Sequence, residues 1–309
     1  MIAFNKYNIF TTPTLKKIYI EGWLVFIIYN IKTLYKYIEK YIKNHRMTID
    51  GHIHLFDWNT YNIFDEYKPL KSFDTFVGFM GIDFDNIDKY SYENCIKYYD
   101  NFIKANKNNV ILLASGLDSK TVIQNYENHR DIMMGFGELL CYAKYDDIDL
   151  PYKKLDWVYD ILDYNTGHLP VFIHYSLTSD KYLNNIDELI SKYPNTPIVI
   201  CHCGLPNIHE GKYDDKYSEI FKRFLKLQSK YKNIYTDVCD SAFLYLRNNM
   251  ADFLKLDLSR VFIGTDITPI HFRQSEKDIK LRISKSLKKF NLWKKNINNE
   301  MVIKKLFNL

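Results

Sequence analysis

From residue 49 onward, short runs of apolar and β-branched residues alternate with longer stretches whose apolar residues recur every three or four positions. The short runs cover 49–56, 75–82, 109–115, 132–139, 170–175, 197–203, 233–239 and 261–265. Between them lie helical patterns such as Ile96, Tyr99 and Ile103, or Ile220, Phe224 and Leu227. Continuous apolar strands joined by amphipathic crossovers are the mark of parallel βα units, in which each crossover helix covers the sheet. Eight such units predict an α/β fold, a closed (β/α)8 TIM barrel. The first crossover is the weakest: residues 58–73 contain Pro69 and no clean amphipathic repeat, which predicts a loop lying over the strand ends.

The pattern before residue 47 differs. Trp23-Leu24-Val25-Phe26-Ile27-Ile28-Tyr29 is apolar all round, and Ile31, Leu34, Tyr35, Ile38, Tyr41 and Ile42 follow at helical spacing. The chain therefore divides into an N-terminal helical extension, 1–46, and a barrel domain, 47–309. The apolar run is far shorter than the roughly 20 residues that span a bilayer, and Glu21, Lys32 and Lys36 bound it. Neither a membrane span nor a secretory leader is expected. Residues 14–45 instead offer a face for the barrel, for a second copy in a homo-oligomer, or for peripheral contact with a membrane surface.

Composition narrows the function. With 47% hydrophobic residues the 309-residue chain has ample material for one large core. Its 42 basic and 37 acidic residues, net +5, are scattered, so no dense basic stripe predicts nucleic-acid binding. A small-molecule substrate is the expected partner. The five cysteines, Cys95, Cys141, Cys201, Cys203 and Cys239, are odd in number and mostly inside apolar runs, which predicts free thiols in a reducing, cytoplasmic setting. If Cys201 and Cys203 continue a strand, they point away from His202 and toward the helices.

Chemistry-bearing side chains collect at the strand ends, where a barrel of this kind places its active site. Alternation sends His52 and His54 to one side of the first strand. The fourth run ends in Gly135-Phe136-Gly137-Glu138, the fifth in His174, the sixth in His202 and the eighth in Gly264-Thr265-Asp266. Imidazole nitrogens and carboxylate oxygens together suit a divalent ion, Zn2+ first and Mn2+ or Mg2+ as alternatives. A lone strand-end histidine is more often a satisfied core residue; the placement of four with two acids is what carries the metal reading. His209 and Arg247, with Trp58 and Tyr175, lie in segments that follow strand ends and are candidates for substrate contact. Arg247 suits a carboxylate or phosphate.

On the motifs Asp50-Gly51-His52-Ile53-His54, Leu169-Pro170-Val171-Phe172-Ile173-His174, Cys201-His202-Cys203-Gly204-Leu205-Pro206 and Gly264-Thr265-Asp266-Ile267-Thr268-Pro269, the chain resembles the amidohydrolase superfamily, in its amidohydrolase-2 branch, over residues 47–272. The resemblance implies that His52, His54, His174 and Asp266 hold one metal, and that His202 binds a second or polarises substrate. Glu138, in a Gly-x-Gly-Glu setting, is similar to the bridging glutamate of two-metal barrels, including TatD-like ones. The implied reaction is hydrolysis of an amide, ester or lactone, or phosphoester, with water activated at the metal, Asp266 moving the proton and His202 stabilising the oxyanion. Alternatives are a metal-dependent non-oxidative decarboxylase, a TatD-like nuclease, or a scaffold without activity.

Overall fold

The computed structural model describes residues 49–54, 75–80, 110–116, 118–141, 155–206, 215–266 and 297–309. The extension 1–46, the 58–73 stretch, the 96–103 helical pattern, Trp58 and His209 lie outside them. Eight parallel strands run in sequence order: β1 (Ile49–His54), β2 (Thr75–Met80), β3 (Val110–Gly116), β4 (Met133–Leu140), β5 (Val171–His174), β6 (Ile198–Ile200), β7 (Ile234–Val238) and β8 (Val261–Ile263). They form the nearly closed α/β barrel expected from the sequence. Helices α1 (Ser119–Asn128), α2 (Asp156–Tyr164), α3 (Asp180–Lys192), α4 (Asp215–Lys230), α5 (Asp240–Asn248), α6 (Met250–Phe253) and α7 (Asn299–Phe307) complete the described elements.

Strand alternation sorts the apolar side chains into two cores. Ile49, Ile111, Leu113, Phe172, Val199, Tyr235 and Phe262 form one cluster, inside the barrel. Their strand neighbours Leu112, Ala114, Val171, Ile173, Ile198, Ile200, Val238 and Val261 join the other, under the helices. Helix starts are fixed locally: the Asp118 carboxylate accepts from Thr121 N at α1, and the Ser179 hydroxyl accepts from Tyr182 N at α3. Ile220, Phe224 and Leu227 form the buried stripe of α4, as their spacing predicts.

The seam between β8 and β1 is closed by side chains. Asn299, at the first turn of α7, donates from Nδ2 to the carbonyls of Ile49 and Ile263 and accepts from Ile263 N. Asp50 accepts from Thr265 N at 2.9 Å and from Thr265 Oγ1 at 2.6 Å, and Asp266 N donates to His52 O. Backbones approach so closely that a Cβ on Gly264 would lie 2.3 Å from His52 Cβ. The rest of α7 supplies Val302, Ile303, Leu306 and Phe307 to the barrel-interior core, with Phe307 stacked on Phe172 at 6.3 Å between ring centroids.

One strand is shorter than its sequence predicts. β6 stops at Ile200, and Cys201–Gly204 turn as a short 3-10 segment in which His202 and Cys203 have φ near +55°. The alternation argument for the two cysteines therefore fails: Cys201 packs with the barrel interior, and Cys203 with the helix-facing layer. The four described cysteines, Cys141, Cys201, Cys203 and Cys239, are buried. Among the described residues no helix is long and apolar enough to cross a membrane.

Candidate metal centre

The strand ends converge as their order along the chain predicts. His52 Nε2 lies 3.3 Å from His54 Nε2 and 3.5 Å from Asp266 Oδ1. His54 Nε2 lies 3.2 Å from Asp266 Oδ1 and 3.4 Å from Glu138 Oε2, with His52 Nε2 to Glu138 Oε2 at 3.8 Å. An ion bound at about 2.0–2.2 Å by tetrahedral ligands spaces those ligands about 3.3–3.6 Å apart, so atoms at these separations could be held around one ion. On the other side of the same glutamate, Oε1 lies 2.8 Å from His174 Nδ1 and 3.4 Å from His202 Nε2. Asp266 Oδ2 lies 4.0 Å from His202 Nε2. Glu138 thus faces two imidazole pairs, one with each oxygen.

Backbone geometry aims these groups. Gly137, at φ +127°, precedes Glu138, and a Cβ there would lie 2.6 Å from Phe172 Cβ, so only glycine lets β4 and β5 approach at this point. His202 and Asp266 both occupy the left-handed region, at φ 55° and 51°, which costs a non-glycine residue energy and is held here by fixed amide partners. His202 N donates to Asp237 Oδ1 at 2.6 Å, Cys203 N to Thr236 Oγ1 at 2.9 Å, and Asp266 N to His52 O at 2.9 Å.

Charge follows from burial set against neighbours. Burial pulls the His52 imidazole down, but Asp237, Glu138 and Asp266 outweigh it and push it up to about 9. Burial lifts Glu138, yet His174 and His52 hold it well below the usual carboxylate range. Asp266 and Asp237 are likewise opposed by burial and held down, Asp266 chiefly by His52 and Asp237 chiefly by His202 and His52. Against burial, His202 is raised, chiefly by Asp237. At the seam, burial pushes Asp50 up to about 6 against the hydrogen bonds from Thr265. Three ionised carboxylates in a buried space call for positive charge, from imidazolium or from a cation.

Of the residues singled out in the sequence, His52, His54, Glu138, His174, His202 and Asp266 come together. The other two described candidates, Tyr175 and Arg247, do not join them. Tyr175 is buried in the layer under the helices, edge-on to Tyr182 at 6.0 Å. Arg247 is exposed in the last turn of α5, where its charge complements the helix end. Sequence reasoning missed Asp237 and Cys239. Asp237 is fully buried on β7, 2.5 Å from His52 Nδ1, and Cys239 Sγ lies 3.1 Å from His202 Nδ1. An acidic residue inside an apolar strand run, with the same inward parity as Tyr235, was the available signal.

Comparison with known proteins agrees with this geometry. A family model described as amidohydrolase matches residues 153–286. A probable 2-pyrone-4,6-dicarboxylic acid hydrolase from Acinetobacter baumannii, solved with citric acid bound, superposes with a TM-score of 0.54 at 16% identity, covering 85% of this chain and 99% of that one. An amidohydrolase from Burkholderia multivorans with bound zinc gives a TM-score of 0.52 at 10% identity, covering 85% and 100%. No curated protein sequence matches the chain.

Proposed function

We propose that this chain, whose residues 153–286 match an amidohydrolase family model, is a metal-dependent enzyme of the amidohydrolase superfamily in which the strand-end cluster holds a divalent metal and hydrolyses a small-molecule ester or lactone, amide, or phosphoester. The observation that carries this reading is the spacing of His52 Nε2, His54 Nε2, Glu138 Oε2 and Asp266 Oδ1, 3.2–3.8 Å where measured between pairs. The donor set is nitrogen and oxygen, buried, with three acids to offset the charge of a cation, so the residues fit the group. His174, His202 and Glu138 Oε1 form a second triad of ligand atoms, which supports a site for two ions with Glu138 between them. This grouping assigns His174 to the second centre, with His202, rather than to the first with His52 and His54.

A divalent ion here supplies Lewis acidity, polarising a carbonyl or phosphoryl oxygen and lowering the pKa of water from near 15.7 to about 7. The chain's own residues do the rest. Asp266 has a side chain 15% exposed, against 4% for Glu138 and 0% for Asp237, so it is the carboxylate that meets substrate from the open side. Its Oδ atom accepts the proton of the attacking water and returns it to the leaving group. Where the site holds one ion and His202 is not a ligand, its Nε2 is placed to donate to the oxygen that gains charge. The reading puts the chemistry in residues 47–309 and none in 1–46.

Zinc in the Burkholderia relative supports Zn2+ as the first ion to test. The Acinetobacter relative is named for a cyclic ester, which puts lactones first among substrates. The test is elemental analysis of the purified protein, followed by a screen of lactones, amides and phosphoesters before and after chelation. Stoichiometric metal and chelator-sensitive hydrolysis are expected. Protein that binds neither Zn2+ nor Mn2+ when these are supplied would overturn the reading.

A further inference from the structure

Resting on the metal-site reading, we infer that Asp237 is the positioning residue of this centre: one carboxylate that sets the tautomer of His52 and holds the turn carrying His202. Its two oxygens have separate tasks. Oδ2 lies 2.5 Å from His52 Nδ1, a direct hydrogen bond and too short to admit an ion between them. In the neutral ring that ion binding requires, a carboxylate oxygen 2.5 Å from Nδ1 accepts its proton, so Nε2, the atom facing His54 and Asp266, is the nitrogen with the lone pair. Oδ1 accepts from His202 N at 2.6 Å and lies 3.4 Å from His202 Nδ1. It anchors the left-handed residue at which the chain leaves β6.

Nothing else described on β7 can replace it. Thr236, the next residue, faces the other way and takes Cys203 N and donates to Ile200 O. Asp237 is fully buried, so water cannot take over either task. With a fully buried side chain it acts through the two histidines it touches. A metal-bound histidine whose other nitrogen is held by a carboxylate is oriented and made more basic, and loss of such a partner lowers metal affinity about 10- to 100-fold.

Asp237→Asn separates the two tasks from bulk. The amide has one acceptor oxygen for two N–H donors, so either His202 N loses its partner or the amide NH2 faces His52 and forces the proton onto Nε2. The experiment uses the full chain with 15N-labelled histidine. In chelator-treated wild type in alkaline buffer, where the rings are neutral, His52 is expected as the Nδ1–H form with a strongly deshielded proton. In Asp237→Asn that signal is lost or moves to Nε2, and Zn2+ affinity, read by competition with a chromogenic chelator, falls about 10- to 100-fold, with Asp237→Glu recovering part of it.

Wild-type His52 in the Nε2–H form, or Asp237→Asn with unchanged tautomer and unchanged Zn2+ affinity, overturns the inference. The wild-type measurement stands even if the variant does not fold. Failure of the metal reading is distinct: wild type then binds no Zn2+, while the tautomer assignment can still hold.

Discussion

Two carboxylates in one cluster, Asp266 and Asp237, differ in what they can reach, and the difference sets their predicted phenotypes. Asp266 is the exposed one, and Asp266→Asn is expected to retain bound metal while turnover falls about 100- to 10,000-fold, the usual worth of a general acid–base group. Metal content measured beside kcat checks it; near wild-type turnover on an identified substrate would remove Asp266 from the proton path. Gly264 is a second residue whose identity is forced. In Gly264→Ala the new methyl sits 2.3 Å from His52 Cβ and 2.8 Å from His52 N, backbone that has no room to move, so a loss of about 1–3 kcal/mol in urea denaturation and weakened metal binding are expected together. At this scale the sequence was legible wherever chemistry and position coincided, at His52, His54, His174, His202 and Asp266. Asp237 was not, because its meaning lies in a 2.5 Å contact with a residue 185 positions away. Tyr175 follows a ligand-bearing strand, yet it points under the helices, since alternation that turns His174 inward turns its neighbour outward.

Among elements, β6 and β7 depend on one another. Apolar and β-favouring residues continue past Ile200, so periodicity extends the strand to Cys203; the chain instead turns there because Thr236 and Asp237 on β7 capture the next amides. Non-glycine residues at positive φ leave only a weak sequence signal, an enrichment in Asn, Asp and His. Further round the barrel, Arg260 ties α4 to β8. Its guanidinium donates to the carbonyls of Gln228, Tyr231 and Ile234 and pairs with Asp257, capping the end of α4 with a cation. Arg260→Leu leaves three buried-side acceptors without that donor and is expected to cost about 3 kcal/mol, read by denaturant unfolding. A loss below a few tenths of a kcal/mol would show that water replaces the guanidinium.

The same pair gives a pH dependence. Burial raises Asp257, but hydrogen bonds from Ser259 and Arg260 outweigh it and hold the carboxyl below its ordinary 3.8. A depressed folded value means the unfolded chain takes up the proton first, so this stability is present above pH 3.8 and is lost as pH falls through the lower folded value. Arg260→Leu should therefore flatten the acid limb of a plot of Tm against pH. An acid limb identical to wild type would exclude the pair as its source.

For the molecule as a whole, barrel order was the most legible feature, because eight apolar runs separated by helical spacing admit few other folds. Ion binding should act at this scale too. The proposed ligands come from β1, β4, β5, the turn after β6, and the end of β8, so an ion that binds only the folded chain would stabilise it by about 2.7 kcal/mol at a hundredfold excess over Kd. Tm is expected to rise with added Zn2+ or Mn2+ and to fall after chelation; a Tm indifferent to both would argue against the centre. How the barrel closes was not legible, since Asn299 reaches back from 36 residues beyond Ile263 and 250 beyond Ile49.

That fastening by Asn299 carries a consequence for the order of events during synthesis. Until the ribosome has released the segment around residue 299, the first strand and the last are joined through Asp50 with Thr265 and through Asp266 N with His52 O, but lack the fastening by Asn299. A nascent chain halted just short of Asn299 would own every proposed ligand and be a weaker ion trap than the whole chain, so full competence arrives late, with α7.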